Sequence, residues 1–405
     1  MISIGAIFKN ECPYIIEWLA YHMTLGITDF HIADNISTDG SSELLYYLDK
    51  SGLIKRIEYP TQDNTPPQLG AYDEILSTLD DNKWIAFIDA DEFIAPSNYE
   101  DGLEPLNSLL CNKENGAISL NWAVYGSSHS ILPDSGLVID RFTKRAAEEH
   151  TVNKHYKSIV RAGDVVSTGT NPHAFKIKPD KKFIIPSGAV QQHVDGIGEA
   201  IDWSIIRLNH YVIKSKSEFF NKKAARGRAT TLKESAGRNA QFFSNHDLNN
   251  VEESIPFWFS RKVQSQIKYI EKILIENGYQ LNAKNVGDVL YRTSKNMGSG
   301  FIDTLNKNDN TITLKGWAVD DLKRPCHDIV VVINNSILIH TNNISFHDRP
   351  DVQRAGVGNG IGCGFISSVT LPNIHIADIQ IYATNKSEIA CVEFKIPEQL
   401  TAILV

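Results

Sequence analysis

Residues 2–8, Ile-Ser-Ile-Gly-Ala-Ile-Phe, run without a charge, and Trp84-Ile85-Ala86-Phe87-Ile88 repeat that character further along the chain. A short run that is apolar at successive positions predicts a strand covered on both faces, as in a parallel sheet with helices on either side. The stretch between the two runs supplies those helices. Pro13 opens a helix on which Ile15, Trp18, Leu19, His22 and Leu25 recur at helical spacing, and Gly26 stands where a C-terminal cap is needed. Residues 28–33 predict a second strand, followed by the polar turn Asp34-Asn35-Ile36-Ser37-Thr38-Asp39-Gly40. Ser41 or Ser42 can cap a helix that carries Leu44, Leu45 and Leu48, and a strand over 53–59 and a helix over 68–80 lead into the second apolar run. Such alternation predicts an α/β domain with a parallel sheet and right-handed crossovers, binding its ligand at the carboxyl ends of the strands.

Beyond residue 100 the pattern loosens. Strands are expected at 116–124, 156–161 and 207–213, joined by long polar loops of the kind that carry substrate contacts. From 215 to 295 the chain reads as helical, with Ser217 capping a helix that holds Phe219, Phe220 and Ala224, and a second helix over 257–277. After Gly298-Ser299-Gly300, short β-rich runs separated by Asn, Asp and Gly turns predict a small β-sandwich. The organisation expected is therefore an α/β domain over 1–215, a helical connector over 216–297 and a β-sandwich module over 298–405. The length of 405 residues fits more than one domain, and 42 % apolar residues suffice for real cores. A net charge of -8 argues against a nucleic-acid partner. The five cysteines show no paired spacing, which points to a reducing compartment and away from zinc. The first residues have no basic leader and read as a strand, and no run approaches the roughly 20 apolar residues that span a bilayer. A soluble cytoplasmic protein is expected, with peripheral contact at the inner face of the plasma membrane left open.

The chemistry concentrates at Asp89-Ala90-Asp91-Glu92, just past the second apolar run. Two carboxylates one residue apart at the end of a buried strand need partners. Their spacing suits one hard cation, Mn²⁺ or Mg²⁺, that also binds diphosphate oxygens and serves as Lewis acid and template. An isolated Asp-x-Asp triplet is equally a solvated turn, and it is the position after a β/α unit that favours the cation. Asn10-Glu11 after the first strand and Asp34 to Gly40 after the second would flank a base and ribose, with Asp34 accepting from a uracil ring nitrogen. Helix capping by Asp39 and Ser41 is the structural alternative there, and both can hold.

At these residues the chain resembles the family 92 glycosyltransferases and the related bacterial family 2-like enzymes of the GT-A fold. The matching segments are Phe8-Lys9-Asn10-Glu11, Glu17-Trp18, Tyr21-His22, Asp34-Asn35, Gln68 before Ala71-Tyr72, Trp84 and Asp89-Ala90-Asp91-Glu92-Phe93. They continue with Trp122, Tyr125-Gly126-Ser127-Ser128, Arg141-Phe142, Lys157 to Arg161, Pro172-His173, His210-Tyr211, Lys214-Ser215 and Glu218-Phe219, over about residues 1–230. The resemblance implies an inverting transferase using a UDP-sugar and Mn²⁺. It implies nucleotide-sugar contacts for Phe8, Asn10, Glu11, Asp34, Gln68, Asp89, Ala90, Lys157 and Lys214. A metal set of Asp89, Asp91 and His210 goes with it, His173 being a second histidine candidate. Arg161 is a weaker phosphate candidate. The general base is read as Asp140, which matches an acidic family position, or Asp195. Trp122 is read as core rather than as a sugar platform, and so is Trp317 in a C-terminal module resembling those appended to bacterial glycosyltransferases. That module would bind glycan, orient the acceptor or mediate homo-oligomerisation.

The leading expectation is transfer of a hexose, galactose first, from a UDP-sugar to a glycan or lipid-linked glycan of a cell-surface polysaccharide or lipopolysaccharide. A non-catalytic glycan-binding protein with a degenerate transferase domain is the alternative, against which the intact Asp89/Asp91 pair argues. A nucleotidyltransferase is the other, but no early Gly-rich Arg/Lys loop is present.

Overall fold

A computed structural model describes residues 2–62, 65–131, 136–224, 238–279, 298–333, 337–371, 376, 379–384 and 390–396. The chain divides into two compact units. One comprises Met1–Ser128, Gly136–Lys214 and Lys222–Gly287, the other His129–Ser135, Ser215–Asn221 and Asp288–Val405.

The first unit begins with β1 (Ile2–Phe8), α1 (Cys12–Thr24), β2 (Phe30–Asp34), α2 (Ser41–Lys50), β3 (Lys55–Glu58), α3 (Pro67–Ser77) and β4 (Trp84–Phe87). It continues through β5 (Glu92–Pro96), α4 (Asn107–Cys111), β6 (Asn115–Val124), α5 (Val138–Arg141), β7 (Lys144–Arg145) and β8 (Tyr156–Arg161). Then come β9 (Val165–Asn171), β10 (Ala174–Ile177), β11 (Lys182–Ile184) and β12 (Ile206–His210). The short α6 (Lys216–Glu218) falls in the second unit, and α7 (Ala240–His246), β13 (Val251–Glu252) and α8 (Phe257–Glu276) return to the first.

Among the described residues the main sheet has the order β3-β2-β1-β4-β8-β6-β12-β5, with β11 paired to β6. The first four strands are parallel, as the alternation required. β8 then runs antiparallel between β4 and β6, and β5 pairs antiparallel with β12. All seven residues of β1 are buried. Gly5 is the point of closest approach to β4, since a Cβ there would lie 2.6 Å from the Phe87 ring. Gly26 takes φ +89° and ends α1, the left-handed position that a C-terminal cap asks for.

Helix α1 is fastened to β5 by side chains. Trp18 Nε1 donates to the Glu92 carbonyl at 2.9 Å, and Tyr21 Oη donates to the Ile94 carbonyl at 2.9 Å. His22 lies 2.8 Å from the Trp18 carbonyl through Nδ1 and accepts from the Ile94 N–H through Nε2 at 3.2 Å. Burial pushes its pKa down to about 3, so the ring is neutral, donating from Nδ1. On the other side, α8 buries Phe259, Val263, Ile270 and Leu274 in the core that also holds Trp18 and Tyr21. The expected connector therefore contributes α7 and α8 as helices, and α8 packs into the first unit; β13 between them pairs with β7. Residues 225–237 and 280–297 of that span lie outside the described residues.

Helix α2 departs from the capping expected. Its N-cap position is Gly40, with no side-chain cap. Ser41 Oγ instead accepts from the Glu11 N–H at 2.9 Å, and Ser42 Oγ donates to Asp34 at 2.8 Å. The Ser41 hydroxyl ties the loop after β1 to the start of α2, and the Ser42 hydroxyl braces the loop after β2. At α6 the cap is Ser215, in a reciprocal pairing with Glu218, and not Ser217.

The second unit holds two four-stranded sheets among the described residues. One has the order β14 (Ser299–Asn308), β15 (Thr311–Val319), β19 (Gly364–Thr370), β18 (Asn342–His347). The other runs β17 (Ile337–His340), β16 (Asp328–Ile333), β20 (Ile379–Thr384), β21 (Ala390–Glu393), and α9 (Pro350–Arg354) precedes β19. Ile312, Leu314 and Phe365 of the first sheet share one core with Ile329, Val331 and Ile381 of the second, which is the sandwich expected. Trp317, half-buried, packs against the small cluster of Val319, Val352 and Cys363 beside the sandwich core. Cys326 and Cys391, which have no paired spacing in the sequence, are brought together with their thiols 3.2 Å apart.

Candidate functional site

The end of β4 is where the chemistry gathers. Ile88 still donates its N–H to the Gly5 carbonyl, and the chain then turns through Asp89, Ala90 and Asp91 into β5. Glu92 closes that turn. Its Oε2 accepts from the Asp89 N–H at 2.7 Å, and its own N–H donates to the Asp89 carbonyl at 3.1 Å. Glu92 is fully buried, and burial, outweighing the nearby Lys157 ammonium, pushes its pKa up to about 8. Its carboxyl is the clasp that holds the turn closed.

The two aspartates, equivalent in the motif, have different partners. Asp89 Oδ1 accepts from Gln68 Nε2 at 2.9 Å, and Oδ2 lies 3.0 Å from Lys157 Nζ. Gln68 also donates to Tyr72 Oη at 2.9 Å, which holds the amide in place. Burial raises the Asp89 pKa, but Lys157 more than offsets it and the carboxyl sits below its ordinary value. Asp91 Oδ1 faces His210 Nε2 at 3.5 Å, while Oδ2 is in contact with the Lys223 ammonium. Against the effect of burial, Lys223, His210 and Lys214 hold Asp91 well below the usual carboxylate range. The Asp91 carbonyl accepts from the Tyr211 N–H at 2.8 Å, and that bond places His210 beside it.

His210 ends β12, two residues after Leu208, which pairs with Trp122 of β6. The indole of Trp122 lies 4.3 Å from the His210 ring, 5.0 Å from His155 in a stack and 5.4 Å from His173. Burial lowers His210 to about 4 and His173 to about 3. Both rings are neutral at physiological pH, and His210 Nδ1 has no hydrogen-bond partner. Lys214, with φ +56°, lays its ammonium 4.2 Å over the Tyr14 ring.

Among the described residues, no three His, Cys, Asp or Glu side chains are grouped so as to hold a metal unaided. Of the set Asp89, Asp91 and His210, only Asp91 and His210 face each other; both Asp89 oxygens are taken by Gln68 and Lys157. A carboxylate beside a neutral imidazole is a fitting partial shell for Mn²⁺ or Mg²⁺ once diphosphate oxygens complete it.

The residues expected to flank the base are placed differently. Asp34 is fully buried and its carboxylate is filled: Oδ2 accepts from Arg56 at 2.7 and 3.0 Å, and Oδ1 from the Ile36 N–H and Ser42 Oγ. No lone pair is left for a uracil ring nitrogen, because β3 runs parallel to β2 with Arg56 opposite Ile32. Asn10, at φ +56°, accepts from the Thr38 N–H at 2.8 Å, so it joins the loops after β1 and β2. Glu11 is buried between them, Ala90 is buried in the turn, and Phe8 lies edge-on to Trp18 at 5.2 Å.

Of the two base candidates, exposed Asp140 accepts from Ser260 Oγ of α8 at 2.8 Å. Asp195, also exposed, accepts from the Ile197 N–H at 2.9 Å, and its carbonyl accepts from Asn171 Nδ2 at 2.6 Å. Asn171 in turn accepts from the His173 backbone N–H at 3.0 Å, so the Asp195 loop is tied to the chain at His173. Arg161 lies away from this cluster, 3.6 Å from Asp164 with its Nη2 donating to the Asn112 carbonyl. Neither Lys223, one of several basic residues between Lys214 and Arg228, nor the Glu92 clasp is set apart by any signal in the sequence.

The profile described as Glycosyltransferase family 92 matches residues 2–239. A family 92 protein of Oryza sativa subsp. japonica is 25 % identical over 186 residues, which is 45 % of this chain and 31 % of that one. One of Arabidopsis thaliana is 26 % identical over 208 residues, 47 % of this chain and 34 % of that one. The chain thus spans about a third of the length of these curated relatives. Among solved structures, S. aureus TarS is similar over 97 % of this chain and 77 % of its own, at 10 % identity and a TM-score of 0.29. A TarS 1–349 structure gives 0.27 at 15 % identity, over 40 % of this chain and 47 % of that one. Scores this low carry no further argument.

Proposed function

The chain belongs to glycosyltransferase family 92, and from that premise we propose that it is a metal-dependent inverting transferase. It moves a hexose, galactose being the first candidate, from a UDP-sugar to a growing cell-surface polysaccharide or lipopolysaccharide glycan. The observation that carries the reading is the pairing of ionised Asp91 with neutral His210 at the carboxyl end of β4, with Lys157 and Lys214 close by. Ligands of parallel sheets bind at this end of the strands.

Asp91 and His210 would hold Mn²⁺ or Mg²⁺ together with the donor's diphosphate oxygens. The ion would supply charge neutralisation of the departing nucleotide diphosphate. Lys214 serves as a further phosphate donor. Asp89, kept ionised by Lys157 and oriented by Gln68, accepts from hydroxyls of the donor. Glu92 fixes the turn so that both aspartates keep their geometry. A carboxylate takes the proton of the acceptor hydroxyl as its oxygen attacks the anomeric carbon and UDP leaves from the opposite face. Asp140 and Asp195 are the two candidates for that base, their carboxylates accepting from Ser260 Oγ and from the Ile197 N–H. The acceptor is a glycan or lipid-linked glycan, met in the cytoplasm or at the inner membrane face. No helix among the described residues is long and apolar enough to cross a membrane.

The test is UDP release from a panel of UDP-sugars, with and without Mn²⁺. Asp89→Asn and Asp91→Asn should abolish transfer while leaving a folded protein. Near-normal turnover by either variant at limiting Mn²⁺ overturns the reading.

A further inference from the structure

Each aspartate of the Asp89-Ala90-Asp91 turn carries a lysine ammonium, and the two lysines are held differently. Lys157 lies within β8, fully buried between β4 and β6. Its place is fixed by the sheet. Lys223 is outside the sheet, at the end of a single π turn over Phe219–Lys223, yet it is buried and its ammonium touches Asp91 Oδ2. The other Asp91 oxygen faces His210. Lys223 therefore stands at the carboxylate that a divalent ion would need.

We propose that Lys223 is an internal counter-ion occupying the cation position at Asp91 in the donor-free protein, and that a metal ion displaces it only when nucleotide diphosphate arrives as well. The proposal rests on the metal reading above. Asp91 is a single carboxylate with the Lys223 ammonium at Oδ2 and the His210 ring at Oδ1. A divalent ion added there alone would meet a lysine ammonium in contact with the same carboxylate, and the two cations would repel. The diphosphate changes the balance, because its oxygens both complete the metal shell and accept the displaced ammonium. Bare metal then binds weakly, and metal and nucleotide strengthen one another reciprocally. In this role Lys223 is a positioning residue that sets the order in which the ligands assemble.

The measurement is Mn²⁺ affinity of the full chain without nucleotide, by the electron-spin signal of free Mn²⁺, and again with UDP by calorimetry. Lys223→Gln removes the charge and keeps a hydrogen-bond donor, and Lys223→Met removes both. Either should tighten bare Mn²⁺ binding by at least about tenfold, the least that unit-charge repulsion a few ångströms away supplies. The strengthening of Mn²⁺ binding by UDP should shrink by the same factor. Lys223→Arg keeps the cation and should stay like the wild type. If the folded Gln and Met variants bind bare Mn²⁺ no tighter than the wild type, while the wild type binds Mn²⁺ with UDP, the inference is overturned and the metal reading stands. If the wild type binds no Mn²⁺ even with UDP, the metal reading itself has failed.

Discussion

Replacing Lys157 by methionine isolates what a buried ammonium contributes to the site. The two side chains are close in length and shape, so packing within β8 is largely kept. What is lost is a cation 3.0 Å from Asp89 and 3.9 Å from Glu92. The lysine is fully buried, and although burial disfavours its charge, Asp89 and Glu92 hold its pKa above the ordinary lysine value. Removing one partner of a fully buried ion pair costs about 3–5 kcal/mol. Two features reduce that here. The Asp89 side chain is 35 % exposed, so water compensates part of its charge, and Glu92, pushed up to about 8, already holds its proton at neutral pH. A loss of about 2–3 kcal/mol is expected at pH 7, after discounting for the exposed carboxylate. In thermal unfolding that is a drop of roughly 5–10 °C. The sign of the pH dependence is fixed by Asp89. Its folded pKa is depressed, so its stabilisation is present above the ordinary carboxylate range and lost on acidification. The deficit of the Met variant should therefore be full at pH 7 and close only below about 4, as the pH falls from the ordinary Asp value through the depressed folded one. Urea titrations at pH 7 and at about pH 3 measure it. A deficit under about 1 kcal/mol at pH 7, or one that widens on acidification, refutes the reasoning.

Glu92→Gln should flatten the pH dependence of stability. The wild-type carboxyl has its folded pKa raised to about 8, so its contribution is full below its ordinary value and is lost as pH rises through 8. The wild type should lose roughly 2–4 kcal/mol relative to the variant between pH 5 and pH 8.5, and an unchanging difference in urea titrations would exclude this. His210→Ala should weaken Mn²⁺-supported UDP binding by at least about tenfold, the scale on which a disturbed metal environment loses affinity; equal calorimetric affinity would leave the imidazole a structural role. Gly5→Ala places a Cβ 2.6 Å from the Phe87 ring and 2.9 Å from Ile85. Overpacking between β1 and β4 should cost about 1–3 kcal/mol, and a variant as stable as the wild type in thermal unfolding would show that the strands part without strain.

The elements that were legible are those whose cause is local. The apolar run of β1 needs no distant information, and α8 is periodic over its whole length because one face is buried. The left-handed Gly26 follows from helix termination alone. The antiparallel insertion of β8 and the pairing of β5 with β12 were not legible, because both depend on which strands meet. The same limit governed the site. Asp34 reads as a ligand until Arg56, brought alongside by the register of β2 and β3, fills it. Cys326 and Cys391 read as unrelated until the sandwich closes on them. Asp89 and Asp91 illustrate the point most sharply. In the sequence they are interchangeable members of one motif. Their partners come from α3 and β8 for Asp89, and from β12 and the π turn at Lys223 for Asp91. The first is locked by an amide and a sheet-bound lysine. The second faces a neutral imidazole and an ammonium outside the sheet, so two carboxylates that the motif makes equivalent differ in how firmly their cations are held.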